Sequence, residues 1–300
     1  MTRVADGIRV LLAAALVSAA CTAPGAGGAL VSGGTAAPAA AAPLRPARPD
    51  ILLATTTSTQ DSGLLDVLIP DFEKRTGYRV KANAVGTGAA LAIGARGDAD
   101  VLLVHAPSVE LPFMAAGNGA RRLTVFHNDF VLVGPPNDPA RIRGLSVSAA
   151  LAALSTKAAL FISRGDNSGT DILEKGLWKA ANLTPRSPSY VEAATGMGQT
   201  LRVASEKRAY TITDRSTYLA HKDQVRLDVL IENTPPLLNL YHVITVNAAK
   251  FPNVNVAGAN AFADYLVSAE GQALAGSFGT AKYGQPLFFP DAGKRDEDVR

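Results

Sequence analysis

Three stretches of small hydroxyl residues and glycines carry most of the polar chemistry of this 300-residue chain. The first is Thr55-Thr56-Thr57-Ser58-Thr59-Gln60-Asp61-Ser62-Gly63, the second Gly86-Thr87-Gly88-Ala89-Ala90-Leu91, and the third Ser163-Arg164-Gly165-Asp166-Asn167-Ser168-Gly169-Thr170. Two lesser stretches follow, Ala194-Thr195-Gly196-Met197-Gly198 and Thr211-Ile212-Thr213-Asp214-Arg215. Such residues suit an anion that is held without being heavily neutralised. Hydroxyls and backbone N–H groups donate hydrogen bonds, glycine lets the backbone come close, and a helix start presents the positive end of its dipole. Arg164 is the only basic residue in the first three stretches, and a guanidinium adds a charge-assisted, two-pronged contact. A dianion facing one arginine stays partly uncompensated, so the number and geometry of neutral donors must supply the rest. Each stretch alone also fits a helix cap or a turn, and Asp166 offers Arg164 an alternative partner. Recurrence at three corresponding junctions is what points to a site.

Other chemistries are poorly provided for. The lone cysteine, Cys21, excludes an internal disulfide framework and any multi-cysteine metal site. Four histidines, His105, His127, His221 and His242, lack the three-to-five spacing of metal ligands and read as structural or surface groups. Gly-x-Ser-x-Gly, Gly-x-x-x-x-Gly-Lys and Gly-x-Gly-x-x-Gly are absent, so no serine hydrolase, mononucleotide or dinucleotide site is expected, and no cofactor. Glu73 and Asp66 read as ordinary charged helix surface.

The elements that must position these stretches come from apolar runs. Strands are expected over residues 51–54, 80–84, 101–105, 130–133, 160–163, 210–213, 229–231 and 243–246. Val101-Leu102-Leu103-Val104 is apolar at successive positions, as in a strand covered on both faces. Helices are expected over residues 63–76, 87–95, 168–181, 197–207 and 257–269. The first of these carries Leu64, Leu65, Leu68, Ile69 and Phe72 on one stripe and stops at Gly77. The alternation predicts an α/β fold with mainly parallel sheets, and the main hydroxyl stretches fall where strands give way to helices. The body is long enough for two lobes.

Composition fits this picture. Hydrophobic residues make up 47% and charged residues 18%, which rules out global disorder. The net charge is +3, but residues 1–50 hold four arginines against two aspartates, so the body is close to neutral. No cluster of Lys and Arg marks a nucleic-acid footprint. Residues 1–20 read as a signal peptide: Arg3 and Arg9 precede the apolar run 10–20, which is too short to span a bilayer. Ser18-Ala19-Ala20-Cys21 is similar to a bacterial lipoprotein cleavage box with Cys21 as the acylated residue, although Ser18 stands where such boxes carry Leu. Ordinary cleavage near Ala20 is the alternative. Residues 21–50 read as a disordered Ala/Gly/Pro linker, with prolines at 24, 38, 43, 46 and 49.

The stretches Thr55–Leu65 and Gly86–Leu91, with Gly97-Asp98-Ala99-Asp100-Val101, Asn128-Asp129-Phe130-Val131 and Ser163–Thr170, resemble the tungstate-binding proteins of TupA type. These are extracytoplasmic solute-binding components of tungstate ABC importers. The resemblance runs from about Ile51 to Pro290. It implies a type II periplasmic binding protein: two α/β lobes joined by two crossing segments, near 129–135 and 235–246. Lobe 1 is then 51–133 with 235–290, lobe 2 is 134–234, and 291–300 is a charged tail. Carried over residue by residue, the ligand-binding set is Thr55, Thr56, Ser58, Thr87, Ser163, Arg164, Ser168 and Thr170. Met197, Gly198, Thr213 and Asp214 occupy places where related oxyanion binders add contacts. Which hydroxyl of each cluster faces the ligand stays open. The expected function is capture of tungstate for a membrane permease, by a monomer and without catalysis. The alternatives are a binder of molybdate or another tetrahedral oxyanion, and an enzyme using the same cleft on a small anion.

Overall fold

Apolar strands and one-sided helices alternate as the residue pattern requires. The computed structural model describes residues 46–299; the leader, Cys21 and most of the linker lie outside the described residues. In chain order the strands are β1 (Asp50–Thr56), β2 (Arg79–Val85), β3 (Val101–Val104), β4 (Gly119–Gly134), β5 (Phe161–Ser163), β6 (Tyr190–Glu192), β7 (Thr211–Asp214), β8 (Asp228–Ile231), β9 (Leu238–Val246) and β10 (Phe289–Pro290). The helices are α1 (Thr57–Asp61), α2 (Leu65–Thr76), α3 (Thr87–Ala95), α4 (Pro107–Ala115), α5 (Val147–Thr156), α6 (Gly169–Ala180), α7 (Met197–Glu206), α8 (Arg215–His221), α9 (Val256–Leu266), α10 (Ala269–Ser277) and α11 (Thr280–Tyr283). No helix among the described residues is long and apolar enough to cross a membrane.

Strand order is β10-β4-β9-β3-β1-β2, with β7 and β8 also paired to β4. The 16-residue β4 is shared. From Gly119 to Asp129 it pairs with β9, and from Phe130 to Gly134 it pairs with β7 and β8. The expectation of mainly parallel sheets is corrected here. Only β1–β2, β1–β3 and β5–β6 are parallel among the described strand pairs, whereas β4 and β9 run against every strand they pair with. A long strand that serves both halves must return beside its own partner, and antiparallel pairing is the geometry that allows it.

Alternate strand residues feed opposite faces. Ile51, Leu53, Val101 and Leu103 pack with Leu68, Phe72 and Phe262. Ala54, Leu102 and Val104 pack on the other face with Leu91 and Phe113. In the second half, Phe130 and Leu132 meet Leu151 and Trp178, while Val131 and Val133 meet Met197, Leu201 and Tyr218. Fully buried strands of this kind leave only their ends available for polar chemistry.

The charged chain end packs onto the body. Asp291 is buried against His127, whose Nδ1 lies 2.6 Å from its Oδ2. Asp296 joins a cluster with Arg122, His242 and Glu110: His242 Nε2 lies 2.9 Å from Asp296 Oδ1, and His242 Nδ1 lies 2.8 Å from Glu110 Oε2. Burial works against the His242 imidazolium, but the Asp296 and Glu110 carboxylates outweigh it and raise its pKa. A group raised on folding stabilises in full below its unfolded value of about 6.5 and loses that contribution as pH climbs through the folded value. Asp296→Asn is therefore expected to cost about 1–3 kcal/mol near pH 5.5, and less near pH 8.5. Urea unfolding of both proteins across that range checks the pH dependence, and a cost that is the same at both ends shows that His242 stays neutral throughout.

Candidate anion-binding site

The strand ends bring the three main stretches together. The first occupies the end of β1 and the short α1, where Thr56 caps α1 by accepting from Thr59 N at 3.2 Å. Thr87 opens α3 behind Gly86. The third links β5 to α6, capped by Ser168, whose Oγ accepts from Asp171 N at 3.2 Å. The second and third stretches are in direct contact. Gly88 N donates to Asn167 O at 3.1 Å, and a Cβ on Gly86 would stand 3.0 Å from Asp166 O. The first and third meet through Arg164 Nη2, which donates to Thr57 Oγ1 at 2.9 Å. Glycine at 86 is what lets the two loops touch.

Arg164 is the centre of this arrangement. It is only 2% exposed. Its Nη2 also pairs with Asp166, as the sequence alternative allowed. Nε and Nη1 are buried without a partner, and so are the hydroxyls of Thr87 and Thr170. Unpaired buried donors are costly, and here they cluster on the loops that converge. The first N–H groups of α3 and α6 also lack intrahelical acceptors, as at any helix start. What the loops offer together is a set of neutral donors around one guanidinium, the requirement of a small oxyanion.

Other candidates are committed elsewhere. Thr55 Oγ1 donates to Leu103 O at 2.9 Å, tying β1 to β3. Ser163 Oγ donates to Glu174, whose carboxyl burial pushes up to about 7, against the pull of the Ser163 and Tyr190 hydroxyls. Met197 has its side chain in the core, and Gly198 N donates to Asp61 Oδ2 at 3.1 Å. Thr213 Oγ1 donates to Asp214 O at 3.1 Å. Asp214 caps α8, taking Thr217 N at 2.9 Å and Thr217 Oγ1 at 2.8 Å, and burial raises its pKa. Thr56 Oγ1 and Ser58 Oγ stand 3.1 and 3.0 Å from His105 Nε2. Ser168 keeps its own hydroxyl proton while accepting from Asp171 N. Thr57 lies inside the first stretch, whereas His105 and Asp171 stand outside all the hydroxyl stretches that the sequence marks.

Asp171 shapes the third stretch. Its buried carboxylate accepts from Gly165 N at 3.0 Å and Asn167 N at 3.1 Å, with Lys175 Nζ 3.0 Å away. Those bonds curl the loop so that Arg164 points inward. An acid one turn into a helix is the only sequence signal for it, and that signal reads equally as dipole compensation.

Comparison with known proteins bears on the whole arrangement. Residues 32–270 match the PBP superfamily domain. The curated tungstate-binding protein TupA of Peptoclostridium acidaminophilum is 49% identical over 251 residues, covering 83% of this chain and 88% of the relative. The chain belongs to the PBP superfamily and, within it, to the TupA family. The solved tungstate ABC transporter structure from Geobacter sulfurreducens is 48% identical, with a TM-score of 0.69, over 75% of this chain and 97% of that one. The tungstate-binding protein TupA from Desulfovibrio alaskensis G20 is 43% identical, with a TM-score of 0.68, over 81% and 99%. The α/β fold of this TupA-family chain is thus that of a periplasmic binding protein.

Removing Asp171 from this TupA-family member leaves the Gly165 and Asn167 amides without their acceptor. Asp171→Ala is expected to lower stability by about 2–4 kcal/mol. Urea unfolding measures it, and a change under about 0.5 kcal/mol shows that the loop holds its shape without the carboxylate.

Proposed function

We propose that this protein captures tungstate outside the cytoplasm and hands it to the membrane permease of an ABC importer. The observation that carries this reading is the buried Arg164, with two N–H groups unpartnered beside the unpartnered Thr87 and Thr170 hydroxyls. Tungstate is a dianion with four oxygen acceptors and no proton to donate, so a site made of donors suits it. In this reading Arg164, Thr87, Thr170, Ser168, Thr56 and Ser58 supply side-chain contacts, and the first turns of α3 and α6 supply backbone N–H groups. Thr55, Ser163, Met197, Gly198, Thr213 and Asp214 support the loops rather than touch the anion. The tungstate-binding names of the TupA relatives support the choice of ion.

Residues 51–133 with 235–290 form one lobe and 134–234 the other, closing on the anion about β4 and β9. The protein acts as a monomer. Cys21 carries the lipid anchor, and the Ala/Gly/Pro linker tethers the domain to the outer face of the cytoplasmic membrane.

Thermal unfolding with tungstate, molybdate, sulfate and phosphate tests the ligand class. A ligand at about 1,000 times its dissociation constant adds about 4 kcal/mol, and no rise with any oxyanion refutes the reading. A competition titration between tungstate and molybdate then identifies the preferred ion. Arg164→Ala is expected to weaken tungstate binding about a hundredfold; unchanged affinity assigns Arg164 to its pair with Asp166 alone. Cys21→Ser is expected to move the protein from the membrane fraction to the soluble one, which fractionation and blotting read directly.

A further inference from the structure

A line of buried polar side chains runs from the first stretch across β9 and β4 to the start of α8. His105 directly follows β3, and its ring lies against Tyr241, with centroids 4.7 Å apart. Its Nδ1 lies 2.9 Å from Asn239 Oδ1. Asn239 Nδ2 donates to Asn128 Oδ1 at 2.7 Å, and Asn128 Nδ2 donates to Ser216 Oγ at 3.0 Å. Ser216 Oγ donates to Asp214 Oδ1. Asn128 and Asn239 face each other in the β4–β9 register, next to the point where β4 changes partners. All of these residues are buried.

Hydrogen-bond direction along this line is determined. Ser216 Oγ donates to Asp214 Oδ1, which also accepts the Thr217 amide at 2.9 Å. Ser216 then offers lone pairs to Asn128 Nδ2, and both amides are fixed in orientation. Asn239 therefore presents a carbonyl oxygen to His105, and only an Nδ1–H can meet it. Burial pulls His105 down to about 4, against the Glu110 charge and the Asn239 bond and with the help of Arg164 and His242. A neutral ring with its proton on Nδ1 has a bare Nε2. That nitrogen faces Ser58 Oγ at 3.0 Å and Thr56 Oγ1 at 3.1 Å.

We propose that His105 is a positioning residue of the anion site: fixed as the Nδ1–H tautomer by Asn239, its bare Nε2 accepts a hydrogen bond from one hydroxyl of the Thr56–Ser58 pair and so sets which hydroxyl donates to the anion. One hydroxyl of the pair points its hydrogen at Nε2 and keeps it. Thr56 Oγ1 also lies 2.7 Å from Thr59 Oγ1, so Ser58 and Thr56 have distinct roles. Gly169 is required where α6 meets the ring, because a Cβ there would lie 2.8 Å from His105 Cε1 and Nδ1. The same histidine thus touches the first stretch, the strand β9 and the start of α6. This inference rests on the anion-site reading, but its wiring is testable without ligand.

Nitrogen-15 NMR of imidazole-labelled, ligand-free protein is expected to show His105 with protonated Nδ1 and bare Nε2. A protonated Nε2 overturns the proposal. Asn239→Leu removes the acceptor and is expected to shift the tautomer and weaken tungstate binding about tenfold. Thermal unfolding of Asn239→Leu is expected to stay cooperative, which guards against a variant that merely fails to fold. His105→Phe keeps the ring packing without the acceptor and is expected to lose about as much affinity as Asn239→Leu. Unchanged affinity in His105→Phe, where the wild type binds tungstate, overturns the positioning role. A wild type that binds no oxyanion overturns the functional reading instead, and the tautomer result separates the two failures.

Discussion

Burying a guanidinium costs several kcal/mol unless its donors are matched, and Asp166 and Thr57 account only for Nη2 of Arg164. The surrounding architecture follows from that constraint. Strand ends carry the loops inward, two helices begin beside the side chain, and glycines at 86 and 88 let one loop lie on the other. Asp171 bends the arginine loop from behind. The site is a convergence of weak donors, and its strength depends on how rigidly the loops are held rather than on net charge.

Rigidity is provided at two levels. The apolar sandwiches fix where each strand ends. Behind the loops, carboxylates and amides fix where each donor points: Asp171 for the third stretch, Asp214 for α8, and the Asn128–Asn239 pair across β4 and β9. Because these groups are buried, they hydrogen-bond in one arrangement at neutral pH. A single histidine with its proton assigned is worth more here than another charge, since a cation beside the α6 start would oppose the helix dipole.

Much of this was legible in the residues. Runs such as 101–104 gave strands at their observed places, and Ser168 and Gly77 mark helix ends where capping chemistry predicts. That the three hydroxyl stretches converge was legible too, because donor-rich loops recur at strand-to-helix junctions. Strand direction was not legible: β4 and β9 are apolar like any buried strand, and their antiparallel pairing depends on topology that no local pattern encodes. His105, Asn128 and Asn239 lie far apart in sequence, so their alignment appears only once β3, β4 and β9 are side by side. Thr55 and Ser163 are the opposite case. Their type suited the site, but the hydroxyls turn to Leu103 O and Glu174.

The docked chain end has a further effect. β10 is two residues long and lies outside β4 at one border of the sheet order, and Asp291 and Asp296 hold the following segment over that flank. At the opposite border, β2 is largely exposed and carries Arg79 and Lys81, both paired with Asp50. Neither border offers a long, flat, uncharged ladder of unpaired backbone groups to a second molecule. The described domain is thereby kept from stacking sheet to sheet with its neighbours at high concentration.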